Sequence, residues 1–503
     1  MTLAKFREDP WRTSHPAYQH SALAMSPAPE YASSEVILSS LYRHIGLDSA
    51  TERTVPQRGR DLDKEVQWYR DRSRKPDAAA LDADTFHMLL HSVLESPKLP
   101  NQSSKRFVQV TPLVPQAAVV SGSARLSSNS WPAGALVRRM IWLGSRDDSA
   151  ADATWRALFD ALTVSDQDDI FARFLQAEIE AWSPRPAWGL VSPDEKGTLD
   201  PGDREGLDYP AKHFVRDLGA IISAKDAMTR RQWTSLLEAV TRLAAVAHVT
   251  WLCDVHARAW ECVKNALDGG GPVDAIEARA QLFPGSFRFL SYGDRALPGI
   301  KDRASAFLQA RLGLNATLWA VDPEGSGVFS LSTGNELADL CDRLRRGTRV
   351  IETTGLRDAI AEVSERETRT LLCKKGIGSN IMEFARHVLG QRQAANPVLR
   401  GYDQGFVLRK RGTSNSSPWV VGLGPVAVLA LVHCSLAGTT GPRSVRRLSQ
   451  HLAGYGTIVD HQDIATNDLG HQLRMLGLVL DSPDAESGML LVPPFPAAQE
   501  ETA

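Results

Sequence analysis

Four side chains of metal-ligating type crowd one stretch of the chain: His248, Cys253, His256 and Cys262. On a helix, Cys253 and His256 stand three residues apart and share a face, the spacing from which two ligands can reach one ion. His248 and Cys262 fall on other faces. No Cys-x-x-Cys pair elsewhere supplies the missing ligands. The expectation is core cysteines and helix-surface histidines, with no metal. Phosphate chemistry fares similarly. No Gly-x-x-x-x-Gly-Lys-Ser/Thr loop occurs. Gly269 to Pro272 follows a helix rather than a strand, and Lys374 and Lys375 sit in what reads as a solvated helix-to-helix turn. There is no Gly-x-Ser-x-Gly and no His-Glu-x-x-His. Asp194, Glu195 and Lys196 have the residue types of a Mg²⁺-dependent nuclease, but they lie in a turn without a flanking strand. No catalytic motif and no cofactor site is recognised, which leaves open only a site assembled from distant residues.

The elements around these residues predict a mainly α protein, a multi-helical body with a C-terminal module. Residues 1–60 read as a partly irregular arm with one short helix near 36–45. Residues 61–130 read as a small helical region: helices over 61–72 and 80–94, a weakly alternating strand over 107–120, and a Ser- and Gly-rich break over 121–130. Residues 131–325 form the helical body. Within it, Trp155, Leu158, Phe159 and Leu162 recur at helical spacing. Ser165 with Asp168 resembles a capping box, opening a helix whose inner face is Ile170, Phe171, Phe174, Leu175 and Ile179. A loop follows over 190–210, then a long helix over 231–267. Residues 287–290 and 304–312 continue as helix, and 318–331 reads as a short strand pair. Residues 326–417 form a second helical region and a basic linker. No fixed-period repeat is present.

The last 80 or so residues carry the clearest pattern. An apolar helix over 420–434 holds Pro425 in its first turn and stops by Gly438. Ser444 is a plausible N-cap for a second helix bearing Val445, Leu448 and Leu452. A third starts near Thr466 or Asn467, with Leu469, Leu473 and Leu476 inward and Gly477 closing it. Leu478 to Leu480 and Met489 to Val492 then read as a hairpin. This element order, with the Leu-Gly-Leu-Val junction at Leu476 to Val479, resembles the winged helix-turn-helix superfamily. The resemblance covers residues 418–503 only and implies a two-stranded wing. It also implies a third helix that enters the major groove of duplex DNA. Carried onto this chain, the base-facing candidates are Asn467, His471, Gln472 and Arg474. Arg443, Arg446 and Arg447 take the phosphate-facing place on the second helix. Upstream, Arg400, Arg409, Lys410 and Arg411, interleaved with Tyr402 and Phe406, could grip a backbone and stack on bases. The plainer reading of that segment is a strand over 406–408 ending in a solvated basic turn.

Charge argues against a strong DNA grip. Between Gly441 and Pro496, four arginines face six acidic residues (Asp460, Asp463, Asp468, Asp481, Asp484, Glu486), leaving −2. DNA affinity depends on neutralising phosphates, so an acidic wing repels it. The whole 503-residue chain has a net charge of −2, so nothing draws it globally to nucleic acid or membrane. Five scattered cysteines give no disulfide framework and imply reduced thiols. No apolar run reaches membrane length and no basic-then-apolar leader opens the chain, so the expected compartment is the cytoplasm. Two functional readings follow. One is a non-enzymatic, DNA-associated scaffold in a bacterial multi-protein system of the phage-defence kind, with partner proteins from the same system. The other is an adaptor whose acidic module binds a partner enzyme and never touches DNA.

Overall fold

The computed structural model describes residues 3–25, 37–47, 75–94, 111–120, 133–182, 187–192, 201–204, 206–283, 285–326, 331–391, 403–412, 416–481 and 488–495. The fold is mainly helical and is arranged around one helix, Arg230–Leu267. Thr229 starts it with a full capping box. The hydroxyl accepts from the Gln232 backbone, and the Gln232 side chain reaches back to the cap. The glycine run ends it, with Gly269 at positive φ. Its apolar residues go round every side, and from Trp233 to Cys253 nearly all of its residues are buried. Helices Ala133–Gly144, Pro210–Ser223, Leu297–Val321, Gly334–Arg346, Ile377–Leu389 and Pro425–Leu436 all pack against it. This helix is long and apolar enough to cross a membrane by composition, contrary to the sequence expectation, yet its most apolar window is wholly buried in the protein.

Enclosure forces the polar residues of the helix to find partners. Arg230, at its start, pairs with Asp168 at 3.1 Å and donates to the Leu113 carbonyl at 2.7 Å. Lys225 lies 3.3 Å from the same carboxylate. Further along, Arg242 pairs with Asp403 at 2.7 Å and donates to the Gly390 carbonyl at 2.9 Å. Glu238 accepts from the Thr111 hydroxyl at 2.6 Å. The neighbouring Leu297–Val321 helix does the same with Arg311, which is fully buried. Its guanidinium donates to Pro10 O at 2.8 Å and Ser14 Oγ at 2.6 Å. The arm therefore packs against the body over residues 3–25, with Phe6, Trp11 and Tyr18 buried.

The strands are short: β1 (Leu290–Ser291), β2 (Leu408–Lys410), β3 (Trp419–Val421), β4 (Arg443–Ser444), β5 (Thr457–Ile458), β6 (Val479–Asp481) and β7 (Met489–Leu491). β1 runs parallel to β5, and β2 runs antiparallel to β3. A three-stranded antiparallel sheet has the order β4-β7-β6. A second apolar cluster, set apart from the main core, joins Phe86, Leu90 and Leu113 to Leu175, Ile179 and Trp182.

Several local expectations change. Residues 117–120 are a helical turn rather than a strand. Leu318 to Val321 close the Leu297–Val321 helix, because Leu318 and Trp319 are buried on its inner face; there is no strand pair among the described residues there. Leu290 belongs to β1, not to a helix. Asp169 caps the Ile170–Trp182 helix; Asp168 accepts from the Ser165 backbone at 2.9 Å, as in a capping box, and also pairs with Arg230. Ile170 and Phe171 are exposed on that helix, whereas Leu175 and Ile179 are buried. The loop expected over 190–210 contains a helical turn, Pro201–Arg204. The apolar helix near 420 starts only at Pro425, since 419–421 is β3, and the upstream strand runs Leu408–Lys410 rather than 406–408. The helix expected over 61–72, the break over 121–130 and the Asp194-Glu195-Lys196 turn lie outside the described residues.

Removing one partner of a buried ion pair leaves an uncompensated charge, at about 3–5 kcal/mol. Asp403→Ala is therefore expected to lower the unfolding free energy, read from urea denaturation, by that much. The double variant Asp403→Leu with Arg242→Met should recover most of the loss, since it leaves no buried charge behind. Equal destabilisation by the double variant would show that the pair has no such role.

Candidate functional site

His248 and His256 are buried, not on the helix surface. His256 Nε2 lies 3.0 Å from the Tyr18 hydroxyl, and its Nδ1 lies 2.7 Å from the Leu252 carbonyl. Cys262 Sγ donates to Gln281 at 3.0 Å, and burial holds the Cys253 thiol well above its ordinary range. Each of these side chains is taken up by the core. Among the described residues no three His, Cys, Asp or Glu side chains are placed to hold a metal. Burial, followed by the Arg139 cation, lowers His248 to about 3 from an ordinary 6.5, and burial lowers His256 to about 4. Both are neutral in the fold, so acid protonates the unfolded chain first.

The C-terminal unit is built from three helices and the β4-β7-β6 sheet. Its first helix, Pro425–Leu436, is apolar on all sides and lies against the central helix and Pro210–Ser223. Arg446–Gly454 follows β4, with Leu448 and Leu452 inward. Asp468–Met475 is the third helix. Asn467 caps it, its Oδ1 accepting from Leu469 N at 2.9 Å and Gly470 N at 3.2 Å. β6 and β7 pair with Val479 opposite Leu491, and β4 joins with Arg443 opposite the same Leu491.

The basic residues of this unit are only partly available. Asn467 spends its side-chain oxygen on the cap. Arg474 pairs with Asp481 at 3.1 Å and donates to Ala465 O at 3.0 Å. Arg409 pairs with Asp468 across the unit. Arg447 donates to the Ser435 carbonyl. Lys410 lies 5.7 Å from the Trp419 ring centre. Gln472 is half-buried, with its Oε1 unpaired. His471, Arg443, Arg446 and Arg411 are exposed. Arg400 and Tyr402, like Asp484 and Glu486, lie outside the described residues. Leu476, expected inward, is 38% exposed because the helix ends at Met475 and Gly477 turns the chain. Beside it Met475 is 74% exposed and Leu480, on β6, 53%. The third helix and β6 thus carry three exposed apolar side chains next to a neutralised arginine.

A polar cluster that sequence reasoning missed joins the unit to the body. Asp217, buried on the Pro210–Ser223 helix, accepts from the Tyr455 hydroxyl at 2.6 Å. His451 Nε2 lies 3.0 Å from the same carboxylate. Burial, with Asp217 alongside, pushes the Tyr455 hydroxyl well above its ordinary 10. Next to them His213 pairs with Asp208 at 2.8 Å, which, ahead of any other influence, lowers the Asp208 carboxyl. The His213 ring lies flush against Gly454, where a Cβ would come within 2.4 Å of it. Asp217 stands more than 200 positions from its partners, and no local spacing signals the pairing.

Two outcomes follow. A hydrogen bond to a buried carboxylate contributes about 1.5–3 kcal/mol, so Tyr455→Phe is expected to lower the unfolding free energy by that amount; a loss under about 0.5 kcal/mol would deny the contact its role. For the buried histidines the folded pKa lies below the unfolded one. Stability is therefore full above pH 6.5 and falls as the pH drops towards 4, by up to about 1.4 kcal/mol per pH unit for each histidine. His248→Leu should flatten the dependence of the thermal midpoint on pH between 6.5 and 4; an unchanged slope would mean His248 is not held neutral.

Compared with family models, with curated proteins and with solved structures, the chain matches none.

Proposed function

We propose that the chain is an adaptor. Its C-terminal unit is a winged helix used to dock a partner protein, with the helical body as scaffold. The order helix, short strand, helix, helix, hairpin, with the first strand paired to the last, supports the winged-helix reading. The observation that carries the docking reading is the surface of the third helix and β6. Met475, Leu476 and Leu480 are exposed where the superfamily would read base edges, and the adjacent Arg474 is held by Asp481. Exposed apolar side chains beside an arginine already paired to a carboxylate suit an apolar protein surface. They do not suit phosphates, which require free cations.

Met475→Glu with Leu480→Glu is expected to abolish a complex with the product of a neighbouring gene on gel filtration, while the protein keeps its helical signal and thermal midpoint. A complex that survives both changes would move the docking surface elsewhere.

A second reading keeps duplex DNA as the partner, in a bacterial multi-protein system such as phage defence. The exposure of Arg443, Arg446, Arg411 and His471 favours it. Fluorescence anisotropy against a labelled duplex at low and at physiological salt separates the two. Binding that falls steeply with salt and weakens with Arg446→Ala supports DNA. No binding at low salt supports the adaptor.

A further inference from the structure

The central helix is enclosed along most of its length, but its last third opens into a cleft of about 460 Å³. That volume lies within the roughly 300–1,000 Å³ of small-molecule sites. Its walls come from the central helix, from Ala306 and Gln309 on the Leu297–Val321 helix, and from Gln281. The floor is satisfied internally: Gln281 accepts from the Cys262 thiol and donates to Glu277 at 2.9 Å. The rim is not. Arg258, Glu261, Lys264, Asn265 and Gln309 are exposed, and none of these side chains makes a hydrogen bond or ion pair within the described residues. Arg258, Glu261 and Lys264 follow at three-residue steps, so two cations flank one carboxylate on one side of the helix.

Trp260 gives the cleft its shape. Its indole lies flat on Gly313, where a Cβ would come within 2.5 Å of three ring atoms. Any other residue at 313 would push the ring out of place. The glycine thus seats a half-buried indole that lines the cleft.

We propose that this cleft binds a purine nucleoside monophosphate. Each part of that ligand meets a matching group. The planar base lies against the Trp260 indole. Asn265 and Gln309 each offer a donor and an acceptor in one plane, the pattern that pairs with a purine edge. Glu261 accepts from the ribose hydroxyls, as an acidic residue does in nucleotide sites. Arg258 and Lys264 hold the phosphate. The site is independent of the C-terminal unit and of its partner.

Isothermal titration of the full-length protein with AMP and with GMP tests this, with adenosine and inorganic phosphate as controls. The expected result is saturable one-to-one binding of at least one nucleotide. Arg258→Glu and Lys264→Glu should each weaken it at least tenfold without moving the thermal midpoint, as both side chains are exposed. Adenosine should bind more weakly than AMP, and Trp260→Phe should alter the quenching of tryptophan fluorescence by ligand. No saturable heat with either nucleotide at millimolar concentration would overturn the proposal. So would binding indifferent to both charge reversals, and phosphate competing as well as AMP would reduce the site to one for a simple anion.

Discussion

Where the central helix is covered on every side, its charged residues have no route to water. The 230–267 helix carries Arg230, Glu238 and Arg242 into the interior, and each is met by a group from a distant part of the chain. Desolvating a guanidinium costs several kcal/mol unless its donors are satisfied. The segments around Leu113, Asp168 and Asp403 are therefore placed as much by the demands of these side chains as by their own propensities. Arg311 imposes the same condition on the N-terminal arm. The rest of the fold is arranged around meeting those demands.

The C-terminal unit inherits this arrangement. The strap over 403–412 is pinned by Arg242 and leads through β2 and β3 into the first helix of the unit, which lies on the central helix. The Tyr455–Asp217 hydrogen bond, the neighbouring His451 and the parallel β1–β5 pair add contacts from other directions. The unit is consequently fastened on this side, while Met475, Leu476 and Leu480 on its third helix and β6 are exposed. A surface held this way is ordered in advance, which would limit the ordering cost of any binding.

Much of the helical framework was legible from sequence because its signals are local. Thr229 with Gln232 and the glycines after Leu267 bound the central helix within a residue of the expectation. Leu469 and Leu473 face inward as spaced, and the hairpin lies where the turn residues placed it. The misreadings come from places where non-local packing decides. Ile170 and Phe171 are apolar at helical spacing, yet they lie on the solvent side because Leu175 and Ile179 take the core. His248 and His256 looked like surface residues, since a sequence does not announce that every face of a helix is covered. Arg446, Arg447 and Arg474 lie on the expected helices, whereas Arg443, expected on the second helix, lies on β4; spacing alone could not reveal that Asp481 and Asp468 hold Arg474 and Arg409.

The way the first helix of the C-terminal unit is buried bears on how the protein can be divided. A fragment starting at residue 418 has the element order of a self-contained module and invites expression by itself. It would remove the central and Pro210–Ser223 helices from against its apolar first helix, and would strand the Tyr455 hydroxyl without Asp217. Exposed apolar patches of this kind promote self-association. The smallest piece with the properties of the native unit is therefore one that keeps the 210–267 helices with it, and a boundary drawn by sequence pattern alone would cut through the core.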